Sequence, residues 1–370
     1  MRGSVKEVRR GVWQIRWDAL PGPERKQLSA TVHGTKREAE RVLREKLAEV
    51  ESGFSGDNLM VQAFLERWLA DYCQQHLKPS TFTSYEGMIK NHVLPSLGNT
   101  RLDKLQPIQL QQLYTVKLET LSPRSVQYIH VILRSAFNRA IKWGVLVHNP
   151  TDRVDAPSAK KRKATIWTAE QAFQFLSHIR EHRMYAAYRL AITTGMRRGE
   201  ILGLRWEDVG EDALRVRQSL VEVSGELIFS TPKTPSSIRT ISLSEEDLAS
   251  LRRQKVYQAE DKLSMGRHYQ DSNLVFTTSP GTPFRPRNFT RQFKEIVRQT
   301  DLPEIRLHDL RHTHATMLLE AGEHPKVVQE RLGHSQIAIV YDTYSHVLPS
   351  MQKEATRKID ELLKKFVKDS

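Results

Sequence analysis

The chain is nearly without cysteine, short of acidic residues for its basic ones, and free of long uncharged apolar runs. Cys73 is the single cysteine in 370 residues. No internal disulfide can form, and no CxxC pair exists to hold zinc. Cys73 falls in an apolar helical pattern and is expected to be a small core residue. Nowhere do about 18 uncharged apolar residues run together, the length that a membrane-crossing helix needs. The opening stretch, MRGSVKEVRR, has no apolar leader region. The expectation is a cytoplasmic protein with no membrane partner. The acidic deficit is larger: 43 Asp and Glu stand against 57 Lys and Arg, a formal net charge of +14. Such a surplus favours a polyanionic partner, above all nucleic acid. No acidic cluster of the two-metal nuclease type appears, and no internal repeat stands out.

What is present is patterned, and it reads as three domains: 1–55, 56–155 and 156–370. In the first, VWQIRWD (Val12–Asp18) alternates, with Trp13, Ile15 and Trp17 on one face. QLSATV (Gln27–Val32) alternates too, and Val5–Arg9 supplies a third strand. Thr35 and Glu38 form a capping box that opens a helix carrying Ala39, Val42, Leu43, Leu47 and Val50. A three-stranded sheet backed by one helix follows. Its polar face would carry Lys6, Arg9, Arg10, Arg16, Arg25 and Lys26. Arg9, Arg10 and Arg16 are candidate DNA contacts.

The second domain reads as an all-helical bundle. Val61, Phe64, Leu65, Trp68, Leu69 and Tyr72 make one helical stripe. Ser80–Val93 makes the next helix. Pro107 and Pro123 each mark a first helical turn. The stretch 155–165 (DAPSAKKRKAT) reads as a linker. Its Lys160, Lys161, Arg162 and Lys163 form either a solvated tether or a run that lies along phosphates. The third domain reads as mixed and mainly helical, with a small antiparallel sheet. Strands are expected at Leu214–Val221, Glu226–Ser230 and Arg239–Leu243. A helix is expected over 350–366. The whole is an α+β multidomain chain.

Three segments of the third domain carry polar residues that suit chemistry. In TGMRRGE, Arg197 and Glu200 are three apart and share a helix face, so the carboxylate can hold the guanidinium in place. In LHDLRHTHAT, His308 and Arg311 are also three apart. Arg311 offers a planar fork suited to a phosphate. A rival reading pairs His308 with His312 as metal ligands, but the central glutamate of an HExxH site is absent. LGHS and the following VYDTYSH hold His334, Tyr341 and Tyr344.

Together these segments resemble the tyrosine recombinase (phage integrase) family. TGMRRGE resembles its first arginine box and implies Arg197 as a catalytic arginine. HDLRHTHAT resembles the HxxR box and implies His308 and Arg311. LGHS implies His334, and DTYSHV implies Tyr344 as nucleophile, with Tyr341 a competitor three residues away. The family's hairpin lysine points to Lys233 in TPKT, the loosest of these matches. Ile339-Val340 departs from the hydroxylated residues common in that box and is expected to tune packing near the nucleophile. Residues 58–150 look like the family's helical core-binding domain, and 1–53 look like the arm-binding domain of integrases from phages and conjugative transposons.

The implied chemistry is coherent. A phenol attacks phosphorus and stores the bond as a phosphotyrosine ester, so rejoining needs no ATP; the resemblance implies that the bond forms to the 3′ phosphate and that no cofactor and no metal take part. Tyrosine's ordinary pKa of about 10 calls for a base, and His308 is the candidate. Arg197, Arg311 and His334 would hold the phosphate oxygens, Lys233 would protonate the leaving 5′ oxygen, and Glu200 would orient the cluster. The resemblance implies double-stranded DNA attachment sites of core and arm type as partners, a homotetramer on DNA, an excisionase and a host DNA-bending protein. Two alternatives remain: a type IB-like topoisomerase, and a catalytically inactive DNA-binding regulator.

Overall fold

The structure, a computed structural model, describes residues 3–18, 27–51, 59–158, 165–231, 238–333, 336–337, 340–341, 356–357 and 359–360. Lys160–Lys163, Lys233, His334, Tyr344, Arg25, Lys26 and most of the expected 350–366 helix lie outside the described residues. The chain divides into two compact units, Met1–Lys161 and Arg162–Ser370.

In the first unit, residue alternation builds a sheet. β1 (Gly3–Arg9), β2 (Val12–Asp18) and β3 (Gln27–His33) pair antiparallel in that order. Trp13, Ile15 and Trp17 share a face with Val5, Leu28, Ala30 and Val32, and α1 (Lys36–Glu51) lays Ala39 and Leu43 against it. The capping box closes: the Thr35 N–H donates to Glu38 Oε2 at 2.7 Å and the Glu38 N–H donates to Thr35 Oγ1 at 3.4 Å. Two N–H groups that a helix start leaves unpaired are thereby satisfied. The opposite face carries exposed Lys6 and Arg16. A register shift between Glu7 and Arg9 sets Arg9 opposite Val12, on that same face. Strict alternation would have turned Arg9 toward the helix.

A second core in this unit is all-helical. α2 (Val61–Trp68) continues through a π turn, Leu69–Cys73, into α3 (Gln74–His76). α4 (Pro79–Met88) continues likewise through Ile89–Val93 into α5 (Leu94–Leu97). α6 (Pro107–Leu118) and α7 (Pro123–Lys142) each begin on proline, where the missing N–H has no intrahelical partner to lose. Phe64, Leu65, Ile129, Leu133 and Phe137 fill the centre. Cys73 is wholly buried there, and burial pushes its thiol up to about 11, as suits an inert core residue.

The second unit contains α8 (Ala169–His178), α9 (Tyr185–Thr193), α10 (Arg198–Leu202), β4 (Ala213–Val216), β5 (Ser219–Val223), β6 (Glu226–Ser230), β7 (Arg239–Ser242), α11 (Glu245–Met265), α12 (Pro286–Val297), α13 (Asp309–Glu320) and α14 (Pro325–Leu332). Its core is aromatic at the centre, where Tyr188 stacks on Phe289 with centroids 4.7 Å apart. The single strand expected over Leu214–Val221 is two strands in two sheets. β4 pairs with β7, and β5 pairs with β6, both antiparallel. The break falls at Arg217-Gln218, whose side chains are anchored elsewhere: Arg217 ion-pairs with Asp208, and Gln218 Nε2 donates to the Gly203 carbonyl at 2.7 Å. A satellite core of Ala315, Leu319, Val328, Leu332 and Val340 joins α13 to α14. Val340 packs inward, while Ile339 and the nucleophile whose surroundings the pair was expected to tune lie outside the described residues. Among the described residues, no helix is long and apolar enough to cross a membrane.

Candidate active site

The end of α9 and the start of α10 are joined by Gly195, whose φ of +63° lies in the left-handed region. A Cβ there would also sit 2.7 Å from His314 Cδ2 and from Leu332 Cδ2. Only glycine meets both demands. The turn delivers Arg197 as the residue that caps α10, not as a member of its first turn. Arg197 and Glu200 therefore meet through a capping arrangement and not across a helix face. The Arg197 N–H donates to Glu200 Oε2 at 2.9 Å, and Nη1 donates to Oε1 at 2.8 Å. Among the described residues, no hydrogen bond holds the Nε or Nη2 of Arg197, and its side chain is 39% exposed. Among the described residues, one edge of the guanidinium is tied and the other is not. The adjacent Arg198 turns away and donates to Thr290 Oγ1.

Glu200 is buried, with its side chain 4% exposed. Burial pushes its carboxyl up, but Arg239, then Arg197, outweigh this and hold it below the usual carboxylate range. Arg239 takes both oxygens, Nη2 to Oε2 at 2.9 Å and Nη1 to Oε1 at 3.3 Å. Its Nε donates to the Arg331 carbonyl at 2.7 Å. The sequence reading missed Arg239. The available signal was its strand position: Arg239 and Ile241 share the inward face of β7, and a charge in register with the core requires a buried partner.

Arg311 lies on the first turns of α13, buried, and is bonded to both neighbouring segments. Nη1 donates to the Gly195 carbonyl and Nη2 to the Leu332 carbonyl, each at 2.7 Å. The fork that the sequence reading assigns to phosphate alone therefore also braces the Gly195 turn and the end of α14. Arg331 closes the set, donating from Nη2 to the carbonyls of Thr193 and Ser242 at 3.1 and 3.2 Å. Arg331 too was missed, because its partners are backbone atoms far away in sequence.

His308 stands at the N-terminal cap of α13, at the surface beside these arginines. Partial desolvation, then His312, Arg311 and Arg197, against the opposing charge of Asp309, lower its pKa from 6.5 to about 4. At neutral pH the ring is uncharged and can accept a proton. Its ring meets that of His312 edge-on, with centroids 5.4 Å apart. Among the described residues, no three His, Cys, Asp or Glu side chains are grouped as a metal site would require. The structure thus brings Arg197, Glu200, His308 and Arg311 together. Lys233, His334 and Tyr344 lie outside the described residues. Tyr341 is exposed at the end of the satellite core. In the first unit, Arg9, Arg10 and Arg16 are all exposed on or beside the sheet face away from α1.

Known proteins match along most of the chain. The model of the phage integrase family matches residues 166–351, and that of the phage integrase N-terminal SAM-like domain matches 60–125. The ICEBs1 integrase of Bacillus subtilis is 30% identical over 97% of this chain and 100% of its own length. A protein described as tyrosine recombinase XerC-like, from Caldanaerobacter subterraneus, is 30% identical over 89% of this chain and 90% of its own. The solved Tn1549 transposon integrase in complex with transposon right end DNA shares the fold, with a TM-score of 0.70 at 22% identity over 82% of this chain and 100% of that one. The chain belongs to the phage integrase family, the tyrosine recombinases.

Proposed function

We propose that this recombinase integrates and excises a mobile element at specific DNA sites, through a transient 3′-phosphotyrosine bond at Tyr344. The Tyr344 phenolate oxygen attacks phosphorus, the bond to the 5′ oxygen breaks, and Lys233 gives that oxygen its proton. His308 takes the phenolic proton. Arg197, Arg311 and His334 hold the non-bridging oxygens, where charge builds in the transition state. The reverse sequence, with a new 5′ hydroxyl as nucleophile, rejoins the strand. No cofactor or metal enters the scheme.

One observation carries the reading. Among the described residues, Arg197 presents an untied guanidinium edge beside Arg311 and an uncharged His308, a constellation suited to gripping a phosphate and removing a proton next to it. The arriving phosphate also relieves the positive field around His308 and raises its basicity as the base is needed.

Residues 1–55 would bind arm-type DNA through Arg9, Arg10 and Arg16. Residues 56–155 would bind core-type DNA, with Lys160, Lys161, Arg162 and Lys163 along the backbone of the duplex. Residues 156–370 would cut, with the C-terminal tail coupling subunits. Lambda integrase has been solved as a tetramer bound to a Holliday junction, and a homotetramer on DNA is the assembly proposed for this chain. An excisionase and a host DNA-bending protein would set direction, and the cytoplasm would be the place of action.

Covalent trapping on a library of nicked duplex sites tests the proposal. Wild-type protein should form an adduct in the presence of EDTA, and Tyr344→Phe should form none. An adduct that persists in Tyr344→Phe removes the assigned nucleophile. Relaxation of plasmids that lack a trapped site would favour a topoisomerase, and no adduct at all would favour a regulator.

A further inference from the structure

We infer that Arg239 is a positioning residue: by occupying Glu200, it keeps Arg197 turned toward the scissile phosphate. The inference rests on reading Arg197 as a phosphate ligand. A carboxylate with one arginine for company pairs with it fork to fork, two N–H groups to two oxygens. Glu200 has a second arginine instead. Arg239 spans both of its oxygens, and among the described residues the Arg197 side chain is left a single bond through Nη1. The remaining contact between Glu200 and Arg197 is to the backbone N–H, which fixes the turn and not the guanidinium. Glu200 thus restrains Arg197 without consuming its second edge.

Arg239 is also placed to coordinate this restraint with the rest of the site. Its Nε donates to the Arg331 carbonyl, and Arg331 donates back to the Ser242 carbonyl at the other end of β7. The strand is clamped to the end of α14, and Arg311 bonds the next carbonyl, that of Leu332. β7 begins shortly after Lys233 in the sequence, and α14 ends just before His334. One buried side chain, 6% exposed, therefore ties the first arginine segment to the two elements that lead to the remaining candidate residues. It needs no contact with DNA to do so.

The test uses full-length protein and a nicked duplex selected by covalent trapping, under single-turnover conditions. Arg239→Gln and Arg239→Lys are made alone and combined with Arg197→Ala. DNA affinity of Arg239→Gln should stay within about threefold of wild type, since no phosphate contact is lost. Its cleavage rate should fall about a hundredfold, the scale of a misplaced reacting group. Arg239→Lys, which returns a positive charge to Glu200 and guards against a fold that merely collapses, should regain about tenfold of that loss. In the Arg197→Ala background, Arg239→Gln should cost less than about tenfold more, because the route through Arg197 is already lost and only the clamp of β7 to α14 is left to break. A neutral methylphosphonate at the scissile position should likewise shrink the gap between Arg239→Gln and wild type. Unchanged cleavage by Arg239→Gln overturns the inference. So does a loss of equal size in the Arg197→Ala background and on methylphosphonate, which is what general loosening gives. If Arg197→Ala alone cleaves like wild type, the phosphate-ligand reading is what has failed.

Discussion

His314, in the second turn of α13, should impose a pH dependence on stability. The ring is 4% exposed, and its Nδ1 lies 2.9 Å from the Ile192 carbonyl. A carbonyl only accepts, so Nδ1 carries the proton. Nε2 is buried without a hydrogen-bond partner among the described residues. Burial, then the charge of Arg331, lowers the pKa from 6.5 to about 3 against the pull of the Ile192 carbonyl. Between those values the unfolded chain binds a proton that the folded chain refuses. Stability therefore rises with pH through this window and is lost as pH falls through it. At about 1.36 kcal/mol per pH unit, the loss reaches about 2 kcal/mol near pH 5 and about 5 kcal/mol near pH 3. His314→Phe cannot titrate. It forfeits the bond to Ile192 and crowds Gly195, an offset of about 1–3 kcal/mol that does not vary with pH. Urea denaturation of both proteins from about pH 7 to about pH 5 separates the two effects, because histidines 130, 182, 308 and 312, lowered in the same direction, contribute equally to each. The stability gap should narrow by about 2 kcal/mol. A gap constant to within about 0.5 kcal/mol would show that His314 is not buried neutral.

Gly195→Ala should destabilise the second unit by about 1–3 kcal/mol more than Gly225→Ala, because both place alanine at positive φ but only Gly195 adds a clash; equal melting temperatures for the two variants would contradict this. Arg311→Lys keeps the charge and loses the two-carbonyl brace. Its adduct formation should fall about a hundredfold with DNA affinity little changed, and a loss of affinity without a loss of rate would assign Arg311 to binding alone. Arg16→Ala should reduce the salt slope of arm-site binding by about one and leave cleavage of a core-only duplex unaltered; an unchanged slope would exclude Arg16 from the contact.

Local chemistry was legible in the sequence and distant chemistry was not. Thr35 and Glu38 announced a helix start because both partners lie within one turn. Arg197 with Glu200, and His308 with Arg311, announced themselves for the same reason, although both pairs proved to sit at helix caps. Arg239 and Arg331 did not, since their partners lie 39 and 92 residues away for Arg239 and 138 and 89 away for Arg331. The π turns at Leu69–Cys73 and Ile89–Val93 escaped notice because one widened turn barely alters a helical stripe. The break at Arg217-Gln218 escaped because alternation continues across it while the pairing partner changes. Of the register shift at Glu7, the sequence offers no sign; the paired strand sets it.

Salt should divide the reaction into two parts. The side chains that organise the site are sheltered: Glu200 is 4% exposed, Arg239 6%, and Arg311 is buried against two carbonyls. Their mutual bonds are closed without DNA, so in the proposed roles of Arg197 and Arg311 a phosphate would meet guanidiniums already aimed, and little would reorganise in the transition state. Mobile ions screen such contacts weakly. The exposed arginines of the first unit, and a chain carrying +14 overall, face the opposite situation. Their contacts release counterions, and affinity should fall about a thousandfold or more between 50 and 200 mM salt for a footprint of six or more phosphates. Cleavage within the saturated complex should change less than about threefold over the same range. A cleavage rate that falls in step with affinity would mean that Arg197 and Arg311 are held by surface charge and not by the buried carboxylate and carbonyls that surround them.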